Sequence, residues 1–448
     1  MLDRILRPFA RVRPGEGGTA LIMALNVFLL LSAYYVIKPV REALILSTGG
    51  AEVKSYSAVG QVILLAFLVP LYSRWVGRMK RRVLIDRVTW GFCACLLLFF
   101  VAAKLSLPFL GVLFYLFVGV FNLMVVAQFW AFANDIYRPE QGERLFALLG
   151  FGASMGAVFG SLVTSFLVGL LGVDGLLLVS AGLLLLTTVL FRLVDRRARS
   201  LPDQSVGSVA RSDVAKPSSG PPRDLPREQK SKGGFALVYG SPYLLLIAGL
   251  MFFSNWVNTT GEYILGSLVS THAQSLVVEQ GGSAKDYIGK FYGDFFFVVN
   301  VAGLLLQLFF VSRLIQWLKV RGALLVLPAI ALVSYLLLGC WPLLAVVRWA
   351  KTAENSTDYS LNNTVRNALF LPLSAEEKFK AKQATDTFFV RGGDVASAAL
   401  VGLGSAGGLP LIGYAWINVA GVVVCLFLAW KIGNMYQDMA QKAALSAN

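Results

Sequence analysis

The chain has 448 residues, a formal net charge of +15 at pH 7, 56% apolar residues and a mean hydropathy of +0.67. This composition excludes an ordinary soluble domain, and the apolar runs are long enough to cross about 30 Å of hydrocarbon. We expect an all-α membrane protein and no nucleic-acid partner, because the basic residues lie at the ends of apolar runs rather than on one soluble face.

Twelve apolar stretches predict transmembrane helices, in two groups of six. The first group covers residues 19–47, 56–76, 83–103, 107–133, 145–171 and 173–194. The second group covers residues 235–266, 288–311, 321–339, 343–365, 379–404 and 410–431. We therefore expect two six-helix bundles, over 19–195 and 235–431, with end segments at 1–18 and 432–448.

The basic residues alternate between the two sides of the predicted membrane. One side carries Arg4, Arg7, Arg11, Arg13, Arg74, Arg78, Lys80, Arg81, Arg82, Arg192, Arg196, Arg197 and Arg199. Loops on the other side carry chiefly Lys54, Lys104, Lys285 and Lys290. The positive-inside rule then predicts that both termini are cytoplasmic. We expect the protein to lie in a bacterial inner membrane. We expect no cleavable signal peptide, because the first apolar run continues into a polar segment.

A segment rich in Pro, Ser, Arg and Lys, residues 196–234, separates the two groups of stretches. Such a composition does not bury a core, so we expect a disordered cytoplasmic linker. A plain tether is the simplest function for it, and regulatory binding is the alternative.

The two predicted halves resemble each other weakly. Segment 73–82, after the second stretch, resembles segment 312–321, after the eighth, and segment 49–54 resembles segment 281–285. Two parallel six-helix halves are the arrangement of the major facilitator fold, in which substrate binds near the midplane and one half rocks against the other. Segment 73–82 also resembles a degenerate copy of that superfamily's loop motif, without its acidic residue.

The first stretch carries Tyr34, Lys38 and Arg41 on one face, and Lys38 and Glu42 are spaced as an i,i+4 pair. One interpretation is that these charges snorkel to the membrane boundary. The other is an anion site, in which Arg41 grips two phosphate oxygens and Lys38 supplies a point charge.

The fourth stretch places Asn122, Trp130 and Asn134 on one face at multiples of four. They offer hydrogen bonds and an aromatic plane for a base or sugar. The alternative is polar contact between helices together with an interfacial Trp.

The seventh stretch has a polar patch, residues 255–262, that includes Asn255 and Glu262. A buried Glu262 would balance basic residues of the facing half or titrate as a proton-coupling group. The sequence does not choose between these functions.

The tenth stretch is the most polar of the predicted helices. Lys351, Glu354, Asp358 and Asn362 recur at intervals of three, four and four, so both signs of charge share one face. A soluble amphipathic helix shows the same pattern, but the count of twelve requires this one to cross, so we expect it to line a cavity.

The eleventh stretch places Lys382 and Asp386 at i,i+4, followed by Arg391 and Asp394. Arg391 lies well inside the apolar limits, which makes it the best single candidate for a substrate anion contact.

The four cysteines, Cys93, Cys95, Cys340 and Cys425, fall within or beside apolar stretches. They are typical of packing residues and indicate neither a disulfide framework nor a metal site. Since no nucleophile with a base and no Walker-type loop is visible, we expect neither an enzyme nor a cofactor.

Five short segments and two single residues resemble motifs of one family: residues 37–42, 129–134, 359–361, 370–373 and 376–382, with Arg366 and Asp386. They resemble the nucleotide transporters (ATP/ADP translocases) of plastids and of obligate intracellular bacteria. The resemblance extends over essentially the whole twelve-helix core. It implies a distant member of that family within the major facilitator superfamily, carrying nucleotides by alternating access.

This sequence departs from the family's pattern at several charged positions. Arg41 stands where the family has a lysine, Asn363 and Asn367 stand where it has acidic residues, and Asn258 stands where an acidic residue is expected in the seventh helix. These departures leave another phosphorylated or anionic substrate open.

The leading expectation is a monomeric ATP/ADP-like antiporter in which Lys38, Arg41, Lys351 and Arg391 hold phosphates. The full set expected to contact substrate is Tyr34, Lys38, Arg41, Asn122, Trp130, Asn134, Asn255, Lys351, Tyr359, Asn362 and Arg391. The set expected to balance charge or carry a coupling proton is Glu42, Glu262, Glu354, Asp358, Asp386 and Asp394. The alternatives are a proton-coupled carrier of another organic anion, and a lipid flippase or non-transporting membrane partner.

Overall fold

The computed structural model describes residues 16–447 except 77, 78, 80, 138 and 201–232. Most of the predicted linker, the N-terminal arginines up to Arg13, and Arg78 and Lys80 lie outside the described residues. Helical structure extends into both ends of the predicted linker, to Ser200 and from Gly234, and at the C-terminus to Ala447.

The described residues form twelve long helices. The first half contains α1 (Gly17–Thr48), α2 (Gly50–Val76), α3 (Arg81–Lys104) and α4, which consists of Leu110–Phe121, a π-helical segment Asn122–Val126 and Ala127–Ile136. Helices α5 and α6 are the two parts of Pro139–Ser200, which is broken at Gly172. Glycine adopts the left-handed φ of 67° found there without the steric cost of a side chain, so the chain reverses within a single residue.

The second half repeats this order. A short helix, Gly234–Gly240, leads into α7 (Pro242–Gln280), which is followed by α8 (Ala284–Leu305, with π-helical Leu306–Phe310). Lys319 breaks the stretch Val311–Cys340, whose first part continues α8 and whose second part is α9. Helix α10 consists of Leu344–Thr357, a π-helical segment Asp358–Asn362 and Asn363–Ala368. Helix α11 consists of Ala375–Ala384, a π-helical segment Thr385–Phe389 and Val390–Ala406. Helix α12 is Leu411–Ala447.

The predicted order of twelve membrane-spanning helices in two sets of six is confirmed. Within the described ranges, eight stretches are long and apolar enough to cross a membrane, and two of them each contain a helix pair, on either side of Gly172 and of Lys319. The two helices that fail this test are α10 and α11, which carry the predicted polar residues. They are held in the bundle by their neighbours rather than by their own hydrophobicity.

Matching helices of the two halves pack closely through small residues. A Cβ added to Gly152 of α5 would lie 2.7 Å from the carbonyl oxygen of Ala24 in α1. In the second half, a Cβ added to Gly393 of α11 would lie 2.6 Å from the carbonyl oxygen of Phe252 in α7. Side chains larger than hydrogen would separate both pairs of backbones.

The two halves meet most closely on the membrane side opposite to the chain ends, called here the far side. There Lys285 of α8 lies 2.8 Å from Asp174 of α6, and Ser405 of α11 donates a hydrogen bond of 2.7 Å to Glu52 of α2. On the side where α1 begins and α12 ends, called here the terminal side, a cleft of about 570 Å³ lies between the halves. The described structure is therefore closed on the far side.

Candidate functional site

A cavity of about 260 Å³ lies between the halves, between the far-side contacts and the terminal-side cleft. Helices α1, α2 and α4 line it from the first half, and α7, α8, α10 and α11 line it from the second. Its wall contains four basic and four acidic side chains, namely Lys38, Arg41, Lys54, Arg391, Glu42, Glu262, Asp358 and Asp394. The formal charges of this wall cancel.

Lys38 of α1 is the basic residue of this wall that has no carboxylate partner within the described part of the chain. Its ammonium lies 3.3 Å from the phenol oxygen of Tyr359 and 4.0 Å from the centroid of the Phe296 ring. The predicted Lys38–Glu42 pair is wrong. Glu42 instead forms ion pairs with Arg41 and, at 2.7 Å, with Lys54 of α2, because its carboxylate is directed toward the neighbouring helix.

A chain of ion pairs crosses the boundary between the halves. Lys54 links Glu42 of the first half to Glu262 of α7, at 2.7 Å and 3.8 Å respectively. Glu262 in turn lies 3.9 Å from Lys351 of α10, which lies 2.9 Å from Glu354. Each buried charge thereby gains a partner of opposite sign, which offsets part of the cost of desolvation.

Lys54 was expected in a far-side loop, and the structure places it within α2 with 8% of its surface exposed. The sequence does contain a signal for it. Lys54 and Gln61 are seven residues apart in α2, so both lie on one face, and both line the cavity.

Arg391 is held in the cavity by its own helix and by α7. Its guanidinium donates to Asp394 at 3.1 Å, and the other carboxylate oxygen of Asp394 accepts from Asn255 at 2.7 Å and from Thr259 at 2.8 Å. The Arg391 side chain nevertheless remains 42% exposed, because the cavity lies in front of it. Its remaining N–H groups are available to an anion.

The predicted polar face of α10 divides between two places. Lys351 and Glu354 are buried inside the second half, and Asn362 lines a separate cavity of about 80 Å³ there. Asp358 and Tyr359 line the cavity between the halves, and Asp358 also lines the smaller cavity beside Asn362. The π-helical segment Asp358–Asn362 begins at Asp358, whose carboxylate accepts a hydrogen bond of 2.7 Å from Asn362.

The predicted face of α4 is divided in the same way. Asn122 lines the cavity, whereas Trp130 packs against Phe129 and Phe146 and Asn134 is exposed outside it. The π-helical segment that begins at Asn122 lies between them and changes the register of the helix.

Asp386 also lies outside the cavity, on the terminal side. The predicted Lys382–Asp386 pair is wrong, because Asp386 lies 3.3 Å from Arg366 of α10 and Lys382 donates to the carboxamide of Asn367. Here too a π-helical segment, Thr385–Phe389, interrupts the regular spacing between the two residues.

The sequence model described as the Major Facilitator Superfamily matches residues 20–353 of this chain. Among characterised proteins, the chain is 26% identical over 365 residues to ADP,ATP carrier protein 1 of Chlamydia pneumoniae, covering 72% of this chain and 66% of the carrier. It is 26% identical over 307 residues to the chloroplastic ADP,ATP carrier protein 1 of Arabidopsis thaliana, covering 61% of this chain and 45% of that protein. The chain thus spans less than two thirds of the length of either relative.

Solved structures with the same architecture are transporters of low sequence identity. A bacterial homologue of the human lysosomal transporter Spinster, inward-facing and unoccupied, superposes with a TM-score of 0.59 at 14% identity, over 96% of this chain and 98% of that one. A bacterial homologue of the iron transporter ferroportin, also inward-facing, gives 0.60 at 15% identity, over 93% and 98%. These similarities establish the fold.

Proposed function

Because this chain belongs to the Major Facilitator Superfamily, we propose that it is a secondary active transporter that exchanges nucleotides of the ATP and ADP kind. We place it in a bacterial inner membrane with both termini in the cytoplasm, as the basic loops predict. The observation that carries the proposal is the charged cavity between the halves. Among the residues that the structure describes, the ammonium of Lys38 there has only a phenol and aromatic rings as partners.

The charges of the cavity suit an anion that enters and leaves. Lys38 is available to a phosphate without first breaking an ion pair, and Arg391 can keep its bond to Asp394 while its other N–H groups bind phosphate oxygens. Carboxylates such as Glu42 and Glu262 keep the empty cavity electrically neutral. An unpaired buried charge is costly, so this balance allows the carrier to exist without substrate.

The space available fits a substrate of nucleotide size. Ligand sites typically enclose roughly 300–1,000 Å³, and the cavity alone holds about 260 Å³. Tyr359 lines both the cavity and the terminal-side cleft, so a ligand that displaces its ring occupies parts of both. An anion bound between Lys38 and Arg391 would draw the two halves together, and the terminal-side cleft would close.

Counterflow in proteoliposomes tests this proposal. Purified protein is reconstituted with unlabelled ATP inside, and the uptake of labelled ATP or ADP is measured against empty vesicles and against a panel of other phosphorylated metabolites. We expect uptake that requires internal nucleotide. Equal uptake of labelled nucleotide with and without internal substrate would contradict nucleotide exchange. So would the absence of any nucleotide uptake.

One observation favours a second candidate, a proton-coupled anion carrier. The carboxylate of Asp358 lines the cavity and accepts a hydrogen bond of 2.7 Å from Asn362, and no basic residue in the described part of the chain pairs with it. Proton coupling in a carrier uses a carboxylate that faces the substrate path, and Asp358 is in that position. Asp358→Asn should abolish uptake driven by an acid-outside gradient yet spare exchange, whereas for a pure exchanger no gradient drives uptake in either protein.

A further inference from the structure

A set of neutral groups also lines the cavity from the first half. On α4, Tyr115, Gly119 and Asn122 follow each other at intervals of four and three residues, so they lie on one face, and all three line the cavity. The ring of Tyr34 on α1 lies parallel to that of Phe121, with centroids 6.1 Å apart. The facing residue of α2 is Gln61.

Gly119 makes the room that the carboxamide of Gln61 occupies. A Cβ added to Gly119 would collide with the carboxamide nitrogen, carbon and oxygen of Gln61. The glycine thus lets a polar group of α2 lie flat on α4 at this depth, one turn from Asn122 along the same face.

Neither carboxamide forms a hydrogen bond with another residue that the structure describes. Other carboxamides in the membrane-spanning helices do: Gln128 donates to Tyr72 at 2.6 Å, and Asn300 donates to Ser161 at 3.0 Å. Inside a membrane protein, a polar side chain that faces a substrate cavity without a protein partner is typical of a ligand contact.

We propose that Gln61 and Asn122, with the ring of Tyr34, form a nucleobase subsite in the first half. This inference rests on the proposed function and names the part of the substrate that these neutral groups recognise. A carboxamide offers a donor and an acceptor side by side, which matches the edge of a base that carries both, as in amide contacts to adenine. An aromatic ring supplies a face on which a base stacks.

The position of the cations gives the orientation of the substrate. On α1, Lys38 and Arg41 lie four and seven residues beyond Tyr34, which is about 6 Å and about 10 Å along a helix toward the far side. The base would then lie next to the terminal-side cleft and the phosphates would lie deeper, with the sugar between them.

The subsite is tested by separating base recognition from phosphate recognition. Gln61→Met and Asn122→Leu keep approximate size and remove the hydrogen bonds, and Gln128→Met, whose partner Tyr72 lies outside the cavity wall, is the matched control. Exchange of labelled ATP is measured in proteoliposomes, with unlabelled ATP, CTP and inorganic tripolyphosphate as competitors. Size-exclusion elution and thermal unfolding confirm that each variant is folded.

We expect both subsite variants to raise the KM for ATP by about tenfold, corresponding to the loss of one or two hydrogen bonds. They should also reduce the preference for ATP over CTP as a competitor. Inhibition by tripolyphosphate should stay as in the parent. Equal changes for ATP and tripolyphosphate, or no change for either, would overturn the subsite while nucleotide exchange by the parent still stands. A parent protein that exchanges no nucleotide would overturn the subsite and the proposed function together.

Discussion

Lys38 of the first half donates a hydrogen bond of 3.3 Å to the phenol oxygen of Tyr359 in the second half. This contact joins α1 to α10 across the cavity, at the residue that separates the cavity from the terminal-side cleft. A phosphate that attracts the ammonium of Lys38 would therefore also release the ring of Tyr359. In the proposed function, binding would thus be linked at this position to the movement of one half against the other.

Lys38→Gln should lower kcat/KM for nucleotide exchange by about 10-fold to 100-fold, since a hydrogen bond to a charged group contributes about 1.5–3 kcal/mol. Tyr359→Phe removes only the phenol oxygen, so it should leave more than half of the exchange rate. Proteoliposome exchange of labelled ATP measures both. Lys290→Gln is the control, because Lys290 is an exposed lysine of α8 outside the cavity. Equal rates for Lys38→Gln and Lys290→Gln would exclude a substrate contact by Lys38.

The number and order of the helices could be predicted because the length of an apolar run decides whether it crosses a membrane. The turn between α5 and α6 was also visible, since Gly172 separates two runs that are each long enough. Helices α10 and α11 are too polar to be recognised alone, and only their place between clear spans identified them.

The positions of side chains around the helices were harder to predict. Intervals of three and four residues presuppose a regular α-helix, and π-helical segments rotate the residues that follow by an extra position. Trp130 and Asn134 consequently lie outside the cavity that Asn122 lines. The partner of a charge is a tertiary property as well, so nothing near Lys54 in the sequence indicated Glu262.

The ion pair between Lys54 and Glu42 should contribute to stability. Lys54→Gln leaves the carboxylates of Glu42 and Glu262 short of a cation, and breaking a buried pair typically costs about 3–5 kcal/mol. Thermal unfolding in detergent should show a clear drop in Tm, and the double variant Lys54→Gln/Glu42→Gln should recover part of it.

The matched control for this prediction is Lys104→Gln. Lys104 lies 3.9 Å from Asp174, but its side chain is 60% exposed, so this pair should contribute at most about 1 kcal/mol. A Tm for Lys54→Gln no lower than that of Lys104→Gln would show that the chain of ion pairs does not stabilise this state.

The far-side contacts should open when substrate drives the carrier into its other state. Cysteines placed at Glu52 and Ser405, whose side chains are hydrogen-bonded in this structure, should react with a short bifunctional maleimide in a background without the four native cysteines. Substrate should lower the yield of cross-linked protein, which gel electrophoresis measures.

A second pair reports on the terminal side, where Ala147 and Thr364 line the cleft from opposite halves. Cysteines at these positions should cross-link poorly without substrate and better with it. If no nucleotide tested changes the yield of cross-linked protein at either pair, a rocking carrier of nucleotides is contradicted.

The guanidinium groups of Arg41 and Arg391 should bind phosphate better than an ammonium could. Arg391→Lys and Arg41→Lys keep the charge but lose the planar fork, so nucleotide binding should weaken by roughly 1–3 kcal/mol. Arg391→Gln should weaken it more, because Asp394 then keeps only Asn255 and Thr259 as partners and repels the incoming anion.

Arg196→Gln, at the exposed end of α6, serves as the control and should bind like the parent. Isothermal titration with ATP in detergent gives each affinity. If Arg391→Gln and Arg41→Gln both bind ATP as tightly as Arg196→Gln does, the two arginines serve their carboxylate partners alone, and Lys38 is left as the phosphate contact.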